Sequence, residues 1–318
     1  LGITLFWLGE LTLARSHLEQ AIALYDPKKH PRFSVGTADP RVDCLSYAAW
    51  ALWSLGYPAQ GLKRSHEAVV LAEGLSHPFS RAYALGTASL FYLLRREEQI
   101  ARERAEAAMA LSTEQGFPFF LAYGMLGWGS ALAEQGQQTE GIVQMQQGLA
   151  ALRDMGTEPP WIGHLPALAA AYAKIEQVEE GLSVLAEALV HMHKTGMCIG
   201  EAELYRLKGE LTLQKEARGW RLETSPTSPQ ASSLQPLASQ AVAQEVEGYF
   251  QKAIDIARKQ QAKSLELRAV MSLVRLRQHQ AQNLESRNTQ YEARIRLHEV
   301  HTMLSDIYNW FTEGFDTQ

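Results

Sequence analysis

Cysteine is scarce in this chain, with two residues among 318. Cys44 and Cys198 are too few for a disulfide framework and favour a reducing compartment, so we expect a cytoplasmic protein. Long hydrophobic runs are also absent. The longest, Leu45–Gly56, is shorter than the roughly 20 residues that cross a bilayer, so we expect no membrane partner.

An excess of basic residues is absent too. The chain has 30 Lys and Arg against 35 Asp and Glu, for a net charge of −5. This balance argues against a nucleic-acid partner, because such proteins present a basic surface. The first residues, LGITLFWLGELTLA, include neither a basic signal-peptide start nor an initial Met. We expect the chain to be a fragment of a longer protein.

The motifs of enzymes are missing as well. No G-x-x-x-x-G-K-[ST] phosphate loop and no G-x-S-x-G elbow occurs. The string HEVH at His298–His301 is one residue short of the zinc motif H-E-x-x-H, and a solvated helix face is the expected setting. We therefore predict no catalytic residue, no metal site and no cofactor in this chain.

Glycine and other small residues, by contrast, recur at a fixed spacing. Five anchor positions lie 47, 40, 40 and 40 residues apart, and each is followed by small residues at +5 and +12. The anchors are Gly9, Gly56, Arg96, Gly136 and Glu176, and the small residues are Ala14, Ala21, Gly61, Ala68, Ala101, Ala108, Gly141, Gly148, Gly181 and Ala188. Two further copies fit with insertions, at Val246 and Ala253 and at Val300 and Ile307.

Helical hairpins explain this spacing. An anchor glycine ends one helix at a tight turn, and positions +5 and +12 share one face of the next helix. A further small residue lies seven positions before each anchor, as Gly129 does before Gly136. Small side chains at both places let the two helices approach closely, so the pattern predicts a helical-repeat array.

Small residues at −7, +5 and +12 around a turn glycine resemble the tetratricopeptide repeat (TPR), although the period is about 40 residues here instead of about 34. The resemblance implies an all-α, right-handed superhelical solenoid of about seven hairpins. We expect residues 1–318 to form this single array, with flexible insertions at about 216–242 and 280–294.

The resemblance also implies a concave groove lined by the first helix of each repeat, where a protein or peptide partner would bind. Mapping the family's groove positions predicts aromatic residues in the N-terminal repeats and charged residues in the C-terminal repeats. The candidate contacts are Phe6, Trp50, Trp53, Tyr83, Tyr123, Glu203, Arg206, Arg268 and Arg275. Inter-helix packing is the alternative role for Trp50 and Trp53.

Several segments resemble a narrower group, the C-terminal repeat region of bacterial signalling proteins that carry an adenylate or guanylate cyclase domain and an NTPase module. They include LSYAAWALWSLGYPAQGLKRSHEAVVLA, AEAAMALSTEQGFPFFLAYG and EAELYRLKGELTL. This resemblance implies a non-catalytic regulatory module with catalytic domains upstream. The alternatives are a free-standing TPR scaffold and, third, a helical-repeat enzyme.

Overall fold

A computed structural model describes residues 1–26, 37–157, 161–223, 239–282 and 287–313, with the side chains of all but 161–162, 220–223, 282 and 287–293. The described residues form fourteen α-helices and no strand. The first helices of the seven hairpins are α1 (Gly2–Trp7), α3 (Pro40–Ser54), α5 (Pro78–Leu94), α7 (Pro118–Glu134), α9 (Leu165–Lys174), α11 (Glu201–Glu223) and α13 (Lys263–Gln282). The second helices are α2 (Leu11–Leu24), α4 (Pro58–Gly74), α6 (Glu98–Gln115), α8 (Gln138–Asp154), α10 (Val178–Thr195), α12 (Gln240–Lys259) and α14 (Arg287–Trp310).

Each odd-numbered helix packs against the even-numbered helix that follows it, and successive hairpins pack against one another. The all-α prediction of about seven TPR-like hairpins is therefore confirmed. Within the described ranges, no helix combines the length and apolar character needed to cross a membrane.

The turns within the first five hairpins have left-handed backbone at the anchors. Gly9, Gly56 and Gly136 have φ of 77°, 91° and 94°. Arg96 and Glu176 have φ of 61° and 60° without being glycine, a conformation that costs about 1–2 kcal/mol for residues with a Cβ. The geometry of the turn is thus the same in hairpins whose anchor residues differ.

The small residues at −7 and +5 face each other in the second to fifth hairpins. A Cβ on Gly61 would lie 2.8 Å from the carbonyl oxygen of Ala49. In the third hairpin, Ser89 at −7 donates a hydrogen bond of 2.8 Å to the carbonyl oxygen of Ala101 at +5. In these four hairpins the two helix backbones therefore approach each other closely.

Ala21 departs from the predicted packing. It is exposed, whereas Ala68, Ala108 and Ala188 at the same repeat position are buried. The reason is the start of the first helix: α1 begins at Gly2, seven positions before Gly9, so it does not extend along the antiparallel α2 as far as Ala21.

The array closes on itself, because the N-terminal hairpins contact the C-terminal ones. The amide of Cys198 donates to the carbonyl oxygen of Trp7 at 2.8 Å. Thr12 Oγ1 donates to Gln261 Oε1 at 2.5 Å, and Ser264 Oγ donates to the carbonyl oxygen of Trp53 at 2.5 Å. One hydrophobic core therefore includes residues of α1–α5 together with residues of α11–α13.

The helices extend into both predicted insertions. In the first, α11 continues to Glu223 and α12 begins at Gln240, while residues 224–238 lie outside the described residues. In the second, α13 continues to Gln282 and α14 begins at Arg287. Gln, Glu and Arg are frequent at these edges and favour helix, even where the sequence has no apolar stripe.

The fourth hairpin generates a stability prediction, because there both the −7 and the +5 residue are glycine. A Cβ on Gly141 would lie 2.4 Å from the carbonyl oxygen of Gly129 and 2.8 Å from the amide nitrogen of Ala133. Backbone atoms cannot move aside as a side chain can, so we expect Gly141→Ala to lower the free energy of unfolding by about 1–3 kcal/mol.

The matched control is Gly248→Ala in α12, where a new Cβ would meet no atom within 4 Å. Removing a helix glycine there should raise stability by about 1 kcal/mol. Urea unfolding followed by circular dichroism measures both. Equal stabilisation by the two substitutions would show that the helices of the fourth hairpin are not in backbone contact.

Candidate functional site

The first helices of the hairpins line the inner surface of the array. Each contacts the next first helix, from α1·α3 through to α11·α13, and α13 also contacts α3. Side chains at the predicted groove positions therefore lie within reach of residues far away in the sequence. We use "inner surface" below for this face, which is formed by α1, α3, α5, α7, α9, α11 and α13.

Four aromatic residues of α1 and α3 form the first part of this surface, which we call the aromatic wall: Phe6, Trp7, Tyr47 and Trp50. The ring of Tyr47 lies 5.4 Å from that of Phe6 and 5.3 Å from that of Trp50. Trp7 Nε1 donates to the Tyr47 hydroxyl at 3.2 Å. Within the described ranges, the buried Trp50 Nε1 has no hydrogen-bond partner.

A column of polar groups continues from the wall at the position thirteen before successive anchors. It contains Asp43 on α3, Tyr83 on α5 and Tyr123 on α7, and the Tyr83 hydroxyl donates to Asp43 Oδ1. Burial raises the pKa of Asp43, and the hydrogen bond from Tyr83 partly opposes this effect. The 40-residue period brings these side chains together, because it repeats the same helix register in each hairpin.

His164 lies at the end of this column. It closes the 3-10 turn Trp161–His164 before α9, and its ring meets Tyr123 edge-on at a centroid distance of 5.1 Å. Its relative exposure is 1%, and neither ring nitrogen has a hydrogen-bond partner in the described part of the chain. Burial lowers the pKa of His164 to about 4, so the imidazole is neutral at pH 7.

A charged cluster on α11 and α13 forms the other side of the inner surface. Glu203 accepts two hydrogen bonds of 2.8 Å from Arg206, whose second partner is Glu210 at 2.6 Å. Ser272 donates to Glu210 at 2.8 Å. Burial alone raises the pKa of Glu203, but the charge and hydrogen bonds of Arg206 outweigh it and bring the pKa to about 2.

Arg268 joins this charged cluster to the N-terminal repeats. Its guanidinium carbon lies 5.0 Å from the centroid of the Trp53 ring, and Nη2 donates to the carbonyl oxygen of Leu94 at 3.1 Å. Its separation from Glu203 Oε1 is 3.5 Å, longer than the bonds of Arg206. The inner surface is thus closed where the second hairpin meets the seventh.

The predicted groove residues lie on the first helices, but their environments differ. Phe6, Trp50, Trp53 and Tyr123 are buried at 4 to 7% exposure. Tyr83, Glu203, Arg206 and Arg268 are half-buried, and Arg275 is exposed on α13. The structure brings Trp53 together with Arg268, and Arg268 together with Glu203, whereas Arg275 lies apart from these contacts.

The predicted small residues lie along the hairpin interfaces, apart from the exposed Ala21. Each of these residues either lies on the buried face of a second helix or occupies a turn: Gly9, Ala14, Gly56, Gly61, Ala68, Ala101, Ala108, Gly136, Gly141, Gly148, Gly181, Ala188 and Ala253.

Sequence reasoning missed His164. The groove column predicts position 163, thirteen before Glu176, and Gly163 occupies it. The 3-10 turn at the start of the fifth hairpin alters the register there, so the adjacent histidine is the buried residue. In the described part of the chain, no group of three or more His, Cys, Asp or Glu side chains is placed to hold a metal ion.

Comparison with known proteins identifies the fold. No protein-family model and no curated protein matches the chain. Among solved structures, a Rap protein complexed with competence and sporulation factor superposes with a TM-score of 0.62 at 13% identity, over 96% of this chain and 76% of that one. A putative kinesin light chain from Podosopora anserina, with nearly identical TPR-like repeats, gives 0.47 at 17% identity, over 73% and 98%. The Rap likeness shows a shared TPR-like fold.

The buried histidine predicts a pH-dependent stability. The folded pKa of about 4 lies below the ordinary 6.5, so the unfolded chain takes up a proton first as pH falls. The contribution of His164 to the free energy of unfolding is complete above pH 6.5. It decreases by about 3 kcal/mol as the pH falls toward 4. We expect His164→Phe to remove this decrease, as measured by urea unfolding at a series of pH values.

The control for this prediction is His66→Phe, which changes an exposed histidine on α4. That variant should follow the wild-type pH profile. A His164→Phe profile parallel to wild type between pH 6.5 and 4 would contradict the buried, neutral histidine.

Proposed function

We propose that this chain is a regulatory module that binds a peptide or an extended protein segment on its inner surface. The observation that carries the proposal is the presence on that surface of buried polar groups with no partner among the described residues, namely Trp50 Nε1 and both ring nitrogens of His164. Unpaired buried polar groups are costly, and most have a partner in folded proteins. A peptide backbone offers both carbonyl acceptors and amide donors, so it suits an indole N–H and a neutral imidazole.

The two sides of the inner surface suit different parts of such a ligand. In the aromatic wall, Phe6 and Trp50 are buried, and the half-buried rings of Trp7 and Tyr47 are the ones against which apolar or aromatic side chains can pack. The charged cluster offers Arg268, which has weaker contacts with Glu203 than Arg206 has. A ligand carboxylate would compete with Glu203 and with the Trp53 ring for this guanidinium. We therefore infer a segment with an apolar part and an acidic group.

We also propose that the module is the C-terminal sensing region of a bacterial signalling ATPase or nucleotide cyclase. The support is the resemblance of the segments at 45–72, 105–124 and 201–213 to the repeat region of such proteins. The catalytic domains would lie upstream, and binding on the inner surface would change the curvature of the array next to them. No residue of this chain is assigned a catalytic role.

Reading the coding DNA upstream of Leu1 in frame tests this context. We expect NTPase and cyclase motifs. An in-frame stop codon and a start codon close to Leu1 would contradict it and favour a free-standing scaffold. This result would leave the proposed peptide site open to the separate test that follows.

Selection from a display library of random short peptides tests the proposed peptide site. We expect wild type to enrich acidic peptides with apolar residues. Their affinity should fall about tenfold or more with Arg268→Gln, which removes the charge, and with Trp50→Phe, which removes the N–H. Isothermal titration calorimetry of the selected peptides measures the change, with thermal melting to show that the variants are folded.

Arg102→Gln is the matched control, because Arg102 pairs with Glu106 on the second helix of the third hairpin and does not reach the inner surface. It should bind the selected peptides as wild type does. If no peptide is enriched, or if the selected peptides bind folded Arg268→Gln and Trp50→Phe as tightly as wild type, the proposed site is wrong.

A further inference from the structure

The end of α14 and the residues after it lie on the turn between α3 and α4. We name residues 310–313, Trp-Phe-Thr-Glu, the C-terminal segment, and residues 56–60, Gly-Tyr-Pro-Ala-Gln, the receiving turn. The two are far apart in sequence: Glu313 follows Ala59 by 254 positions. Their contact joins the second hairpin to the seventh.

The carboxylate of Glu313 caps helix α4. Glu313 Oε1 accepts hydrogen bonds from the amides of Ala59 and Gln60, at 3.0 and 3.1 Å, and Oε2 accepts from Gln60 Nε2 at 3.4 Å. The N-cap residue Tyr57 makes no side-chain capping bond, so these first-turn amides have no local acceptor. A carboxylate at this place is also favoured by the helix dipole.

The rings of the C-terminal segment fit the receiving turn independently of that carboxylate. The Trp310 ring lies 5.3 Å from the Tyr57 ring, and Lys263 Nζ lies 5.9 Å from the centroid of Trp310. Gly56 has φ of 91°, and a Cβ there would lie 2.6 Å from Trp310 Cζ3 and 3.1 Å from Phe311 Cε1. The turn therefore has both the backbone and the space that an aromatic pair requires.

Cations surround this contact. Arg15 of α2 lies 4.8 Å from the centroid of the Tyr57 ring. Lys263, which pairs with Glu266 at 2.8 Å, lies beside Gly56 and Trp310. The N-terminus of α4 and the two cationic side chains favour an acidic residue, and the Tyr57 ring favours an aromatic one. They therefore suit a short segment in which an acidic residue follows an aromatic residue by three positions. The C-terminal segment has this pattern, with Glu313 three residues after Trp310.

We propose that the receiving turn is a docking site for an aromatic-aromatic-x-acidic segment. In the closed monomer the chain's own C-terminal segment occupies it, and a partner protein with such a segment competes for it. Displacement frees the end of α14 from the second hairpin, while the contacts of α13 with Trp53 remain. This docking site is a different site from the one proposed on the inner surface. It can therefore be tested with no ligand on the inner surface.

Hydrogen exchange at the receiving turn tests the proposal. In wild type the amides of Ala59 and Gln60 are bonded to Glu313, so Glu313→Ala should speed their exchange about tenfold, as expected for the loss of a charge-assisted hydrogen bond. The control is Asp306→Ala, which removes an exposed carboxylate from α14, the helix that precedes Glu313. It should leave the exchange of both amides unchanged.

A synthetic peptide of sequence YNWFTE, residues 308–313, provides the second arm. It is added to a full-length variant with Trp310→Ala, Phe311→Ala and Glu313→Ala, in which the receiving turn has lost its own aromatic pair and carboxylate. The peptide should restore protection at Ala59 and Gln60 there, whereas the same peptide with Gln in place of Glu should restore less. Equal exchange of these amides in wild type and Glu313→Ala would overturn the contact itself. Faster exchange in the triple variant without rescue by the peptide would overturn the docking site for a separate segment.

Discussion

Close approach of the two helix backbones in the second to fifth hairpins is the constraint on which the rest of the structure depends. Small residues at −7 and +5 allow it, as in the approach of Ala49 to Gly61 and of Gly129 to Gly141. Close contact of this kind leaves little freedom in the crossing of the two helices, because protein interiors are packed to crystal-like density. Repeated every 40 residues, it gives each hairpin a similar shape, and the array bends until its ends meet.

The closed array explains why charged and polar groups lie inside it. Glu203 and Arg206 are half-buried and satisfy each other with two hydrogen bonds, yet a buried ion pair adds little stability compared with apolar residues of the same size. Arg268 holds the seventh hairpin against Trp53 of the second. These groups contribute a surface of defined charge next to the aromatic wall, which is the kind of surface that recognises a particular segment.

The hairpins could be predicted from the sequence because each depends on local spacing. A turn needs one residue with left-handed backbone, and even Arg96 and Glu176 occupy such turns because the spacing requires it. Closure could not be predicted, because small rotations between hairpins add up over the whole array. The contacts of Arg268 with Trp53 and Leu94 follow from that sum. Gly124 and Gly127 have no place in the repeat pattern. Contacts between neighbouring hairpins explain them, because each lies close to a residue of the hairpin before it, Met109 and Ser89 respectively.

Cross-linking of Thr12 to Gln261 tests the closure most directly, because their side chains meet at 2.5 Å across 249 residues of sequence. Both would be changed to Cys in a chain whose Cys44 and Cys198 are replaced by Ser, and a short bismaleimide added at low protein concentration. The closed array predicts rapid intramolecular cross-linking between positions 12 and 261. The control pairs a thiol at position 12 with one at exposed position 150 on α8, a helix that packs between α7 and α9. No cross-link is expected in that variant. Efficient labelling of the two thiols introduced at positions 12 and 261, without a cross-link between them, would contradict the closed array.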